Sequence, residues 1–340
     1  MDQETPLSEA YPGAVETCAA CGWTLHGVLG RGGVGVVFEA TVQGEPAAVK
    51  LAWPWTEESQ AREAPESGDR TGPARQRLRV PLLEHDERSL RFTSPTTLAQ
   101  CNRLVTGEAQ RLGETRDEAV VRFRAPLPMP TAASRAGFAM ERVPGAALEL
   151  TPGPSLHRLA SVLQRLHEHG WPHGDLKPGN ILVEGEKVTL LDPVPVGIDC
   201  MTPDWAHLNF LVSTPLVDSA DPRDRRMVYR HRDLVAFGLM LSQAFAGARP
   251  WSHAEVSSMF DRHTPMDTKR AELLAARERL GALLPKAPAS LRDFLSLALD
   301  PGLWPDEGPT FAAYLQSRPF ETRCDALFGM NLPKLVRDAL

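Results

Sequence analysis

Residues 173–180 read HGDLKPGN, and residues 190–197 read LLDPVPVG. The first stretch follows a helix-like pattern and precedes the strand-like sequence NILVEG. It brings a carboxylate, an ammonium and a carboxamide close together in sequence: Asp175, Lys177 and Asn180. A carboxylate can accept a hydroxyl proton, an ammonium can neutralise a moving phosphoryl group, and an amide oxygen can bind Mg²⁺. These roles fit in-line phosphoryl transfer, whereas the simpler interpretation is a polar turn with incidental charges.

A glycine-rich stretch lies nearer the start of the chain. Gly30, Gly32 and Gly35 belong to the sequence GRGGVGVV, a G-x-G-x-x-G-x-V pattern between two predicted strands. Glycines there allow a tight turn and let backbone N–H groups approach phosphate oxygens without a Cβ clash. A dinucleotide-binding fingerprint would lead into a helix, but VVFEATV continues as a strand. The pattern therefore disfavours a dinucleotide-binding loop, and by itself it fits either an ordinary glycine hairpin or a phosphate-binding one.

Lys50 is a lone lysine in an apolar strand, fifteen residues after the last glycine of that pattern. One interpretation is an edge lysine that extends its ammonium into solvent. The glycine pattern one hairpin earlier favours another, in which Lys50 reaches the α and β phosphates of a nucleotide. Such a lysine needs a carboxylate to orient it. Glu108, on the apolar face of a helix predicted to begin after residues 94–95, is the best candidate, with Glu84 and Glu87 as alternatives.

Hydrophobic periodicity divides the chain into a strand-rich first part and a helical second part. Residues 23–53 alternate as three antiparallel strands, and residues 120–123 and 137–143 are predicted as two more. Residues 54–95 are rich in Glu, Arg, Pro and Gly, which predicts a mobile insertion. This insertion is either a solvated loop or a regulatory or partner-binding element. Predicted helices in the second part cover residues 156–166, 233–247, 269–284, 289–299 and 308–316.

Composition excludes several classes of protein. With 340 residues, 42% of them hydrophobic and 24% charged, the chain is long enough for one large or two moderate globular domains. A net charge of −6 disfavours nucleic-acid binding. The longest nearly apolar run, residues 234–246, is shorter than the ~20 residues that span a bilayer, and the acidic N-terminus lacks a signal core. We expect a cytoplasmic protein without membrane contact, and the abundance of Arg, Ala and Pro indicates a bacterial, GC-rich genome.

The five cysteines are odd in number and scattered, so a disulfide framework is not expected. Cys18-Ala-Ala-Cys21 has the spacing of half a zinc site, but no second Cys or His pair follows at a suitable spacing. Metal or redox use and ordinary reduced thiols both stay open for this pair.

Together, these motifs resemble the eukaryotic-type (bacterial) serine/threonine protein kinase family over roughly residues 23–318. The resemblance implies an α+β, bilobal protein-kinase-like fold. Its N-lobe would be a small antiparallel β-sheet with one main helix, and its larger C-lobe would be mostly α-helical, with a nucleotide in the crevice between them. The expected domains are an N-terminal extension (1–22), the N-lobe (23–143, with insertion 54–95), the C-lobe (144–318) and a C-terminal tail (319–340).

The resemblance also implies catalytic roles for particular residues. Lys50 would pair with Glu108, and Asp175 would be the catalytic aspartate. Lys177 and Thr214 match residues typical of members that phosphorylate Ser or Thr. The substrate would therefore be a protein with Ser or Thr hydroxyls.

ATP and Mg²⁺ are the cofactors that the resemblance implies. Asn180 and Asp192 would bind the metal, and Asp233 would begin a buried helix and brace the backbone of the catalytic loop. The implied nucleotide-binding residues are Gly30, Gly32, Gly35, Val37, Ala48, Lys50, Met140, Glu141, Val143 and Leu182.

Several positions depart from the family pattern. Gly174 replaces the arginine usual before the catalytic aspartate, so activation by phosphorylation of the activation loop is not expected. Pro193 and Val194 replace the Phe and Gly usual after the metal-binding aspartate, and proline should stiffen the following backbone. Asp221 and Trp304 stand where a Glu and an Arg usually pair, which suggests compensated replacement of a buried ion pair.

Three functions are compatible with these observations. The first is an active Mg-ATP-dependent serine/threonine protein kinase, because every charged residue expected to handle phosphate or metal is present. The second is a pseudokinase scaffold that holds nucleotide without transferring phosphate, suggested by the departures at residues 193–194, 221 and 304. The third is a small-molecule phosphotransferase of the aminoglycoside or choline type, since HGDLxPGN also resembles those enzymes. Lys177 and the STPL segment (213–216) argue against it.

Overall fold

A computed structural model of the chain divides into two compact units. The first contains Met1–Val143 and Val194–Cys200, and the second contains Pro144–Pro193 and Met201–Leu340. An antiparallel sheet occupies the N-terminal part and helices dominate the C-terminal part, so the expected α+β, kinase-like fold class is confirmed. The structure describes residues 6–53, 82–86, 89–93, 97–128, 134–195, 205–208, 222–260, 263–302 and 318–340.

The first unit is built on a five-stranded antiparallel sheet with strand order β1-β2-β3-β7-β6. Its strands are β1 (Trp23–Arg31), β2 (Gly35–Val42), β3 (Glu45–Ala52), β6 (Phe123–Pro126) and β7 (Gly137–Glu141). The three strands expected from residues 23–53 are present. The strand expected at 120–123 lies later in the chain, because Val120 forms only an isolated bridge.

The insertion is partly structured, which corrects the expectation of a wholly mobile segment. Strands β4 (Leu82–Asp86) and β5 (Ser89–Thr93) form a separate antiparallel hairpin. Its charged residues obscured the strand pattern in the sequence. The rest of the insertion lies outside the described residues.

The outer face of the sheet is covered by residues that precede it. Two short helices, α1 (Leu7–Ala10) and α2 (Ala14–Ala19), contribute to a core that includes Tyr11, Ala14 and Cys18. The sheet contributes its own buried side chains to this core, among them Val36, Phe38, Val49 and Leu51. Residues that the polar composition predicted as an extension are therefore part of the first unit's core.

Helix α3 (Leu98–Gly113) packs on β3 and β7 and is the one main helix expected for this unit. It begins with a capping box, in which Gln100 N–H donates to the Thr97 hydroxyl and the Gln100 side chain accepts from Thr97 N–H. Asn102 joins the helix to the segment before β7, since its Nδ2 donates to Ser134 O (2.8 Å) and its Oδ1 accepts from Ala136 N–H (2.7 Å).

The second unit is mainly helical. Its three-stranded sheet has the order β10-β9-β8, with β8 at Ala146–Ala147, β9 at Ile181–Glu184 and β10 at Lys187–Leu190. Its helices are α4 (Pro154–Glu168), α5 (Pro222–Ala246), α6 (His253–Phe260), α7 (Met266–Leu283), α8 (Ala289–Leu299), α9 (Arg318–Phe328) and α10 (Leu332–Arg337). The helix predicted at 308–316 lies outside the described residues. None of the helices in the described ranges has both the length and the apolar character needed to cross a bilayer.

The C-terminal residues are not a loose tail. Leu332 and Val336 of α10 are buried, and α10 packs against α4 and α8. Ser290 Oγ donates to Leu335 O (3.1 Å), and Leu332 N–H donates to Gln164 Oε1 (3.3 Å). The two last helices therefore belong to the second unit, which residue pattern alone did not predict.

Candidate active site

A buried ion pair lies under the sheet of the first unit. Lys50 Nζ is 2.7 Å from Glu108 Oε2, and each side chain is 4% exposed. Lys50 lies on β3, which has β2 on one side and β7 on the other, so the solvent-directed edge lysine considered above is wrong. Glu108 faces it from α3, the helix that also buries Cys101 and Val105. The side chains of the alternative carboxylates, Glu84 and Glu87, lie outside the described residues.

The glycines of the β1–β2 connection have different surroundings. A Cβ at Gly35 would lie 2.4 Å from Leu51 O, so this position admits no side chain without movement of β3. A Cβ at Gly30 would meet no atom within 4 Å, and one at Gly32 would meet only Gly35 O, at 3.9 Å. Gly32 N–H donates to Gly35 O (2.9 Å), which closes the turn. Gly35 is thus needed for strand packing, whereas a Cβ at either of the other two positions would meet little or nothing.

Strand register places the expected adenine-contacting residues of the first unit. Val37 lies opposite Lys50, and Ala48 is two residues before Lys50, so all three share one face of the sheet. Met140 lies opposite Ala48 on β7. Glu141 is the last residue of β7, and Val143 lies two residues beyond it. Leu182, the remaining expected contact, belongs to the second unit, where it lies on β9 opposite Thr189 and Ala147.

The loop between α4 and β9 brings together three of the expected residues, Asp175, Lys177 and Asn180. Lys177 Nζ is 2.9 Å from Asp175 Oδ2. Asn180 ends a short 3₁₀ turn and is buried, and its Nδ2 donates to Asp175 O (3.0 Å) and lies 3.4 Å from Asp175 Oδ2. The carboxylate of Asp175 therefore contacts both a cationic and a neutral donor.

Asp192 follows the β9–β10 hairpin and lies beside Asn180. Asn180 Nδ2 is 3.3 Å from Asp192 O, and Leu191 N–H donates to Asn180 O (2.8 Å). Asp192 has φ = 51°, a left-handed conformation that aspartate tolerates better than most residues and that tends to occur at functional sites. The amide nitrogen of Asn180 contacts the carbonyl oxygens of Asp175 and Asp192. The Oδ1 atom is therefore the part of this side chain that could bind a metal ion. A carboxylate and an amide oxygen are hard donors that suit Mg²⁺ together with substrate phosphates.

The carboxylate of Asp233, on α5, holds the backbone of the loop between α4 and β9. Its Oδ2 accepts from His173 N–H (2.7 Å) and lies 2.8 Å from His167 Nε2, and its Oδ1 accepts from Gly174 N–H (2.8 Å). The bracing role expected for Asp233 is therefore seen. The expected position is wrong, since α5 begins at Pro222 and Asp233 lies near its middle.

His173 joins the catalytic loop to the segment that carries Asp192. Its Nε2 is 2.7 Å from Leu191 O, which it can reach only as a donor, and its Nδ1 lies 3.3 Å from Asp175 N–H and accepts from it. Complete burial lowers the pKa of His173 despite the nearby aspartates. The ring is thus neutral, with its proton on Nε2. Sequence reasoning missed this role and that of His167, because neither contact has a local signature.

Some expected residues cannot be placed. Thr214, Asp221 and Trp304 lie outside the described residues. Pro193 and Val194 are buried, so the two replacements after the metal-binding aspartate are packed and not solvent-exposed.

Cys18 behaves as a core residue. It is fully buried, and burial, followed by the neighbouring Cys21, raises the pKa of its thiol to about 12. Among the described residues, no group of three or more His, Cys, Asp and Glu side chains could hold a metal ion. The burial of Cys18 is typical of a thiol that packs in a core.

Comparison with known proteins is informative at the level of broad class. No protein-family model matches the chain. It is 29% identical to mouse serine/threonine-protein kinase ULK3 over 149 residues, covering 42% of this chain and 32% of that protein. It is 28% identical to serine/threonine-protein kinase pkn2 of Myxococcus xanthus over 225 residues, covering 56% of this chain and 26% of that protein.

The chain is similar to serine/threonine protein kinases. Human ULK3 gives a comparable alignment, 28% identical over 149 residues. The matched region spans about a third or less of each of these relatives. The similarity supports a kinase relationship and a kinase class of enzyme, without assigning a substrate.

Proposed function

We propose that the protein is a Mg-ATP-dependent serine/threonine protein kinase, which transfers the γ-phosphoryl group of ATP to a protein hydroxyl. The observation that carries the proposal is the cluster of Asp175, Lys177, Asn180 and Asp192 in one hydrogen-bonded loop system. Their charges and donors match the needs of phosphoryl transfer, in which positioning and charge neutralisation do most of the work.

The second unit supplies the chemistry. Asp175 orients the acceptor hydroxyl and receives its proton. Lys177, 2.9 Å from that carboxylate, offsets the negative charge of the moving phosphoryl group. Asn180 and Asp192 would hold Mg²⁺, which supplies charge neutralisation at the phosphate oxygens. Thr214 is proposed to contact the protein substrate, as the resemblance of the chain to Ser/Thr-directed kinases implies.

The first unit supplies nucleotide-binding groups. Glu108 holds the ammonium of Lys50, which makes it ready to contact phosphate oxygens. The backbone N–H groups of the glycine-rich turn cover the same phosphates. The proposed adenine contacts are Val37, Ala48, Met140, Leu182 and the backbone of Glu141 and Val143.

Gly174 gives this kinase a particular form of control. No side chain at that position can bind a phosphate on the activation loop, so we propose activity that does not depend on phosphorylation there. Insertion 54–95 is the proposed partner-binding element. A cytoplasmic location and a bacterial origin stay predictions from composition.

A nucleotide-binding scaffold is the second candidate. It is favoured by Pro193 and Val194, whose burial next to Asp192 leaves less freedom for the usual switch after the metal-binding aspartate. A scaffold would bind ATP without turnover, so the same assay separates the two candidates.

The test is phosphoryl transfer by the full chain with Mg²⁺, labelled ATP and a generic basic protein, followed by phosphosite mapping. Asp175→Asn should lower kcat by at least ~10²-fold and leave ATP affinity unchanged, because it removes the proton acceptor and no phosphate contact. Lys50→Ala should weaken ATP binding. Asp293→Asn, at an exposed position of α8, is the matched control and should keep full activity.

The outcomes separate the candidate functions. Transfer to Ser and Thr that depends on Asp175 supports the proposal. ATP-induced thermal stabilisation without transfer supports the scaffold, and transfer to an aminoglycoside or choline but to no protein supports the small-molecule enzyme. Equal turnover by Asp175→Asn and the unaltered chain would refute the assignment of Asp175.

A further inference from the structure

An aromatic cluster joins the N-terminal residues to the outer face of the sheet. Tyr11 lies between α1 and α2 and is 2% exposed. Its ring contacts Phe38 of β2 and Trp53 edge to face, with centroid distances of 5.0 Å and 5.2 Å. Such pairs stabilise a packing arrangement beyond the apolar area that they bury.

Two arginines flank the Tyr11 and Trp53 rings of this cluster, and these four side chains form a stack. The guanidinium carbon of Arg31 lies 4.6 Å from the centre of the Tyr11 ring, and that of Arg135 lies 3.7 Å from the Trp53 ring. Arg135 also donates to Ala52 O (3.1 Å). In the order Arg31, Tyr11, Trp53, Arg135, two rings that meet edge to face lie between two cations, and both cation distances fall within the range of cation–π attraction.

The stack reaches the glycine-rich turn at two points. Arg31 is the last residue of β1 and lies inside the glycine pattern. Trp53 N–H donates to Val34 O (3.1 Å), at the opposite side of the same turn. Tyr11 therefore contacts two residues that meet the turn. Its ring face contacts the guanidinium of Arg31, and its ring also contacts the ring of Trp53.

We propose that Tyr11 is a positioning residue for the nucleotide: it holds the turn from Arg31 to Gly35 in the conformation that receives phosphates. This inference rests on the proposed function. Glycines make the turn flexible, and ordering it on binding would cost conformational entropy. A turn that the stack has already ordered avoids part of that cost, so ATP binds more tightly.

The experiment measures ATP affinity and the separate values of kcat and KM for variants of the full chain. Tyr11→Leu fills much of the ring's space but removes the aromatic and cation–π contacts. It should raise the Kd and KM for ATP by about fivefold and change kcat less than about twofold. Tyr11→Phe should keep the ATP affinity of the unaltered chain, because it keeps the ring. Within the described residues the Tyr11 hydroxyl is buried without a hydrogen-bond partner, so its loss should not lower stability.

Trp23→Ala is the matched control for loss of packing. Trp23 belongs to the same core but lies at the other end of β1, opposite Val42. The Trp23→Ala variant should have a lower thermal midpoint, but its folded fraction should bind ATP with the affinity of the unaltered chain. Equal effects of Tyr11→Leu and Trp23→Ala on ATP affinity would show a merely structural role and overturn the inference, as would an unchanged Kd in Tyr11→Leu. Failure of the unaltered chain to bind ATP would instead refute the proposed function and the inference with it.

Discussion

Gly174 shows how one residue can relieve backbone strain. Its φ is +85°, in the left-handed region that favours glycine, and its N–H donates to Asp233 Oδ1 at 2.8 Å. The kinase resemblance leads one to expect an arginine here. Arginine would offer a phosphate-binding side chain but would hold a strained backbone, whereas glycine adopts this conformation without that cost.

We predict that Gly174→Ala lowers the free energy of unfolding by about 1–2 kcal/mol, because a Cβ disfavours the left-handed backbone. Gly179→Ala is the control, since Gly179 is in the same loop, its φ is not in the left-handed region, and a Cβ there would meet no atom within 4 Å. Urea unfolding of the two variants measures the difference. Similar midpoints for both would contradict the interpretation of strain at Gly174.

Among the elements, α5 and α10 organise the second unit in different ways. Helix α5 provides the carboxylate of Asp233, which holds the loop at His173 and Gly174 through two backbone N–H groups. Helix α10 provides apolar packing, since Leu332 and Val336 are buried although the helix has only 6 residues. So short a helix is not stable alone in water, so its tertiary packing stabilises it.

We expect Leu332→Ala to lower the free energy of unfolding by about 2–4 kcal/mol, through lost burial and a remaining cavity. Lys334→Ala, on the exposed side of the same helix, should change it by less than about 0.5 kcal/mol. Thermal unfolding of both variants is the measurement. If Leu332→Ala is as stable as Lys334→Ala, α10 does not dock as described.

At the scale of the whole molecule, buried histidines connect stability to pH. His173 and His231 are both 0% exposed, and burial lowers the pKa of each below its usual value. For His231, nearby His207, Arg323 and Arg232 lower the pKa further. Both rings are therefore neutral in the folded protein but take up protons in the unfolded chain below about pH 6.5.

We predict that stability is lost as pH falls below about 6.5, since the unfolded state then binds more protons than the folded state. Each of the two histidines contributes a slope of up to about 1.4 kcal/mol per pH unit. Urea unfolding midpoints at pH 7.5 and pH 5.5 test this, and His231→Phe should reduce the slope by up to one histidine's contribution. A midpoint that does not fall between these pH values would contradict the prediction.

Much of the candidate site was predictable because its residues lie in short, ordered motifs. The helix with Glu108 on its buried face followed from apolar periodicity, and Lys50 followed from its position one hairpin after the glycines. Asp192 was predicted as a metal ligand despite Pro193, because the spacing from Asn180 did not depend on the residue after it. The contacts of His167 and Tyr11 were not predictable, since each is made with a residue distant in sequence and neither residue lies in a recognisable motif.

The sequence by itself determined the alternation of strands, the helical stripes, and which residues bear the charges that we propose to handle phosphate and metal, because these properties are local. Only the tertiary structure decided that residues 7–19 cover the sheet, that the last helices pack on the second unit, and that Asp233 braces the loop from the middle of its helix. Burial and pairing across distant segments depend on which surfaces meet, and that choice minimises the exposed apolar area of the whole unit rather than of any one segment.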